Sequence, residues 1–171
     1  MQIDTPKNTS HHTSKVTLLL VMGTSAFLFH FVWEMWQVPF YQGMPGASHW
    51  VAVRICSQAA FGDAFIAIFS YALVAWFFND INWVYLSRRK PVGVYLCIGL
   101  LVTIILEYLA TEVFYRWQYS ELMPRLWWLG TGALPLLQWA FVPFLSLWTA
   151  KVFLLGIYAN EHLLIGDRVS R

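Results

Sequence analysis

Four ionisable side chains, His30, Glu34, Asp63 and Glu107, lie inside otherwise apolar runs. Burying charge in such a setting is costly, so residues of this kind mark function by default. A histidine with three carboxylic acids is a set that can give and take protons. In a low-dielectric medium the acids cannot all carry charge together, so protonated acids stand beside ionised ones. Such a set runs acid–base chemistry. His30, Glu34, Asp63 and Glu107 are therefore the candidate catalytic residues. Trp33, Gln37, Tyr41, Gln58, Gln138 and Trp139 lie near them along the runs and are the candidate substrate-binding residues.

The runs themselves read as membrane helices. Of 171 residues, 58% are apolar, 18% aromatic and only 12% charged. That charge fraction is about half of what a soluble domain carries. The net charge of +2 is too small to suggest nucleic-acid binding. A helix needs roughly 20 apolar residues to cross a bilayer. Four segments qualify, at about 16–38, 50–78, 92–115 and 133–158. The expected fold is all-α, a polytopic four-helix transmembrane bundle. Pro39 and the Gly43–Gly46 run end the first segment, and Pro135 suits the first turn of the fourth. Pro143 falls inside the fourth. Residues 1–15 are polar and read as a disordered tail in which His11 and His12 are solvated; residues 159–171 read as a second tail. Cys56 and Cys97 fall in different segments and are expected to be buried, unpaired thiols.

Charge sets the expected orientation. Lys7, Lys15, Arg88, Arg89, Lys90, Lys151, Arg168 and Arg171 fall at the two termini and the second loop. Arg54, Arg116 and Arg125 fall at the other ends. Positive charge favours the cytoplasmic face, which puts both termini inside. Seven tryptophans, Trp33, Trp36, Trp50, Trp117, Trp127, Trp128 and Trp139, then gather near the outer interface.

Depth and rotation bring the polar groups together. His30, Glu34, Asp63, Glu107 and Gln138 all fall from mid-membrane to the outer half of their helices. At about 100° per residue, His30, Glu34, Gln37 and Tyr41 share a stripe about 60° wide. Glu107 shares a face with Thr103. Arg54 and Gln58 share a face from which Asp63 points away. Glu112 and Arg116 have the spacing of a helical ion pair at the rim.

The stretch "HFVWEMWQVPFY" has the form His-x-x-x-Glu-x-Trp with an aromatic end. It is similar to the His/Glu helix of the emopamil-binding-protein family, the four-helix EXPERA membrane domain. In that family's sterol isomerases the resemblance implies a lipid-enclosed site built on His30 and Glu34. Asp63, in "FGDAF", would stand for the acid on the second helix, and Gln138, in "LPLLQWAFVP", for an amide on the last. The family has Glu and Asn at those two places. "EYLATEVFY", with Glu107 and Glu112, loosely resembles its third-helix segment.

Three functions fit these residues. The first is an acid–base enzyme of isomerase type, with no cofactor, acting on a terpenoid or other apolar lipid in the outer half of the bilayer. A protonated acid or His30 would protonate a double bond. Glu34, Asp63 and the faces of Trp33, Trp36 or Trp139 would stabilise the cation. The second is a lipid-binding or assembly subunit without chemistry, its polar residues locking helix to helix. The third is a metal or haem protein, with His30, Glu34, Asp63 and Glu107 as possible ligands and His49 at the outer mouth; a di-iron site would want Glu-x-x-His pairs, which the spans lack, and the preferred reading assigns no metal. The expected partners are membrane lipid or an apolar small molecule, and a homo-oligomer is one arrangement open to such a bundle.

Overall fold

A computed structural model describes residues 14–86, 88–126 and 130–169. His11, His12, Lys7, Trp127, Trp128 and Arg171 lie outside the described residues. The chain forms α1 (Lys15–Gln37), α2 (His49–Phe77), a one-turn α3 (Trp83–Leu86), α4 (Arg89–Tyr108) and α5 (Ala133–Val169). Of these, α1, α2, α4 and α5 are long and apolar enough to cross a membrane. They make an all-α bundle of four long helices.

Local chemistry sets the boundaries. The Ser14 hydroxyl caps α1 by accepting from the Val16 amide at 3.3 Å, and Ser48 caps α2 through Val51 at 3.4 Å. Pro39 lies where α1 tightens into a 3-10 turn, Val38–Phe40. The end of α4 widens into a π turn, Leu109–Val113. The segment read as a second tail from residue 159 continues α5 as helix to Val169.

α1 packs against α2 and α5, and α4 packs against the same two, so α1 and α4 lie on a diagonal. The contact face of α2 is a stripe of small residues at helical spacing: Ala52, Cys56, Ala60, Ala64 and Ala67. Small residues let helices approach closely in a lipid setting, where hydrophobic force between helices is missing. On α4 the buried positions are Pro91, Tyr95, Gly99 and Thr103. Cys97 is off that stripe by two residues and is exposed, contrary to the sequence expectation; Cys56 is buried as expected.

The core has two parts. Toward the start of α1, Leu18 and Met22 meet Tyr71, Val74, Trp83, Tyr95 and Leu154. Trp83 stacks on Tyr71 with ring centroids 4.7 Å apart, and the Tyr71 hydroxyl donates to the Ile81 carbonyl at 2.6 Å. Nearer the end of α1, Ala26, Ala64, Ala67 and Trp139 form a smaller apolar group. It adjoins the polar residues described next.

Candidate functional site

The site is assembled around one amide. Gln138, on α5, is almost fully buried. Its Nε2 lies 2.8 Å from His30 Nδ1, 3.1 Å from Glu34 Oε1 and 3.2 Å from Asp63 Oδ2. His30 and Glu34 come from α1 and Asp63 from α2, so three helices meet at one nitrogen. An amide nitrogen carries two hydrogens and cannot fully satisfy three acceptors. His30 Nδ1 also lies 3.2 Å from Asp63 Oδ2, an ion-pair contact when the imidazole is protonated. Two tautomers are open to His30: Nδ1 accepts from the amide, or Nδ1–H donates to Asp63 and leaves the two amide hydrogens for the carboxylates. The second puts a lone pair on His30 Nε2. Nε2 is fully buried and has no hydrogen-bond partner among the described residues.

The remaining contacts fix the acids differently. Asp63 Oδ1 accepts from the Trp139 indole at 3.3 Å, so both oxygens of Asp63 are engaged. The bonds to Glu34 fall on one oxygen, Oε1, which also accepts from Gln37 at 2.8 Å. Gln37 in turn accepts from the Trp33 indole at 3.2 Å. The His30 and Trp139 rings are 5.3 Å apart.

Two features of the backbone position Trp139. A Cβ on Gly99 would stand 2.0 Å from its ring, so the indole fits only because α4 has no side chain there. Pro143 lacks an N–H, so the Trp139 carbonyl, four residues earlier, has no intrahelical donor.

Glu107 belongs to a neighbouring set. It accepts from the Tyr119 hydroxyl, and the Trp117 indole approaches it at 3.5 Å. It lies within electrostatic reach of Glu34 and Asp63 but makes no hydrogen bond to the Gln138 group among the described residues. Burial, then the Glu107 charge, push the Tyr119 phenol above the usual tyrosine range, so it stays a donor. Tyr41 belongs here too, its ring 5.6 Å from that of Tyr119.

These residues form a lid over one end of the bundle. Gln42 N donates to Gln118 O at 2.9 Å, and Ser120 N to Phe40 O at 2.9 Å, joining the loop after α1 to the loop after α4. Arg125 holds the second loop by donating to the Tyr119 carbonyl at 3.1 Å, its guanidinium 5.3 Å from the Tyr119 ring centroid. A polar pocket of about 200 Å³ opens in this lid, lined by Gln42, Thr111, Glu112, Gln118, Tyr119 and Arg125, among others.

Set against the sequence, His30, Glu34, Asp63, Gln37, Gln138, Trp33 and Trp139 are brought together. Glu107 and Tyr41 lie beside them. Gln58 is exposed on the outer face of α2, and Arg54 and Trp36 are exposed as well. The expected Glu112–Arg116 ion pair does not form. The π turn and a left-handed Tyr115, at φ 50°, end the helix between them, and Arg116 lies over the Trp117 ring instead. Sequence reasoning missed Tyr119, because nothing on a helix foretells how a loop folds back. It read Trp117 only as part of an interfacial belt. Comparison with known proteins finds no matching family model, no similar curated protein and no similar solved structure.

Proposed function

We propose that the chain is a membrane-embedded acid–base enzyme, isomerase-like in its chemistry, that moves a double bond in a terpenoid or other apolar lipid. The observation that carries this reading is the convergence of His30, Glu34 and Asp63 on the single Gln138 amide. Groups that can hold protons, fixed against one another by rigid helices, are what proton transfer in both directions requires.

The roles follow from which atoms are occupied. Asp63, held at both oxygens, orients His30 and Gln138. Glu34 keeps its Oε2 outside the hydrogen bonds of the group, and His30 keeps its Nε2. One of these two delivers a proton to an alkene carbon, leaving a carbocation on its neighbour. The other takes a proton from an adjacent carbon, and the double bond reforms one position along. Protons balance over the cycle, so no cofactor is consumed. The Trp139 and Trp33 faces stabilise the intermediate cation. Asp63 and Glu34 are only partly buried, which suits substrate arriving sideways from lipid. The charge pattern supports an orientation with both termini in the cytoplasm and this site in the outer half of the bilayer.

A second reading, a non-catalytic subunit whose polar group locks the helices together, has its own support. The amide hydrogens of Gln138 and both oxygens of Asp63 are spent inside the group. Mass spectrometry of lipids that copurify with the protein separates the two. A defined terpenoid or sterol-like molecule, lost from Glu34→Gln protein that stays folded, supports the enzyme. Phospholipid with no apolar small molecule supports the lock.

A further inference from the structure

The opposite end of the bundle holds a feature that the acid–base group does not use. A shallow groove of about 640 Å³ runs between the end of α2 and the first half of α4. Phe77 and Phe78 form one wall; Gly93, Cys97 and Leu101 lie along the other. Arg89 and Lys90 stand at its end, and both are exposed. Among the residues whose side chains are described, which leaves out Glu161 and Asp167, no acidic side chain pairs with Arg88, Arg89 or Lys90.

Three observations point to one occupant. First, the cations are placed against local electrostatics. They occupy the first turn of α4, where the helix dipole is already positive, and Arg88 as N-cap makes no side-chain capping bond. An anion there relieves both charges. Second, the groove has the length of one leaflet. Lys90 to Leu101 rises about 16 Å along a helix, and half of a bilayer's hydrocarbon core is about 15 Å. Third, its floor is open at Gly93, where an added Cβ would meet nothing within 4 Å.

We propose that this groove binds an anionic phospholipid of the surrounding bilayer, its phosphate held by Arg89 and Lys90 and one acyl chain lying along Gly93, Cys97 and Leu101. Juxtamembrane cations attract such headgroups, and here an apolar track fixes the chain beneath them. The site is separate from the acid–base group and does not depend on that reading.

The full chain in detergent is titrated with phosphatidylglycerol, phosphatidylcholine and inorganic phosphate, followed by native mass spectrometry and thermal unfolding. The expected result is a preference for phosphatidylglycerol over phosphatidylcholine of roughly thirtyfold, each cation contributing about a factor of five. Arg89→Gln with Lys90→Gln removes the preference. Gly93→Phe fills the track and weakens phosphatidylglycerol binding while leaving the lipid-free melting temperature unchanged. Equal binding of the two lipids overturns the proposal. So does a preference that survives Arg89→Gln with Lys90→Gln, phosphatidylglycerol binding left unchanged by Gly93→Phe, or stabilisation reproduced by inorganic phosphate alone.

Discussion

Where α1 begins, the space between the helices is filled by Leu18, Met22, Tyr71, Trp83 and Tyr95. Where α1 ends, the same helices enclose His30, Asp63 and Gln138, with Glu34 beside them. The first region works by shape. Its rings stack, and one hydroxyl finds a carbonyl at Ile81. The second works by shared protons, and each member depends on groups from other helices. In a bilayer an unsatisfied polar group has no water to turn to, so the second region is the more demanding to assemble. The difference teaches that apolar packing and the polar group sit at different levels of one bundle, so the two can be tested separately.

The sharpest way to test that separation is Glu34→Gln. If the acid–base reading holds, turnover falls by about 10²–10⁴-fold, the range for losing a general acid or base, with the melting temperature nearly unchanged. Trp83→Ala reverses the pattern. It should cost on the order of 3 kcal/mol of stability, read from thermal unfolding, while activity per folded molecule stays at the wild-type level. A Trp83 variant that loses activity in proportion to nothing but temperature keeps the comparison; one that is folded and inactive breaks it. Gln138→Leu should affect both regions' readouts, costing about 1–3 kcal/mol for the polar groups left unpaired. Infrared carbonyl spectra should show a changed set of protonated carboxylic acids in that variant and an unchanged set in Trp83→Ala. Gly99→Ala should cost roughly 1–3 kcal/mol by overpacking against Trp139.

The smallest effect lies in the lid. Tyr119 is held protonated beyond its ordinary value of 10.0, chiefly by burial and then by Glu107. Below that value both folded and unfolded chains keep the phenol protonated, and its contribution to stability is complete. As pH rises through it, only the unfolded chain ionises, so stability declines. Tyr119→Phe should flatten that decline, which unfolding curves taken between about pH 9 and pH 11 would register.

The spans were legible from length and apolar content alone, to within a few residues at most ends. The similar depth of His30, Glu34, Asp63 and Gln138 was legible too, because depth is fixed once a segment is known to be helical; that they meet depends on helix order, which the sequence does not carry. What phase could not supply was anything that leaves the helix. Glu112 and Arg116 were separated by a π turn, and Tyr119 reached Glu107 from a folded-back loop. Cys97 faced outward because the packing stripe of α4 runs through Tyr95 and Gly99, a register that apolar sequence alone does not reveal. Nor did Gly99 announce itself as the seat of an indole.

The Gln138 amide also bears on the order in which the protein can be made. It is carried by the last of the four spans, whereas His30, Glu34 and Asp63 arrive with the first two. Without α5, Glu34 keeps only its bond from Gln37 on α1, and Asp63 loses the Gln138 and Trp139 donors. The final helix supplies those donors, and Trp139 can seat only after α4 has presented Gly99. The site is therefore complete only when α5 is in place beside α1 and α2.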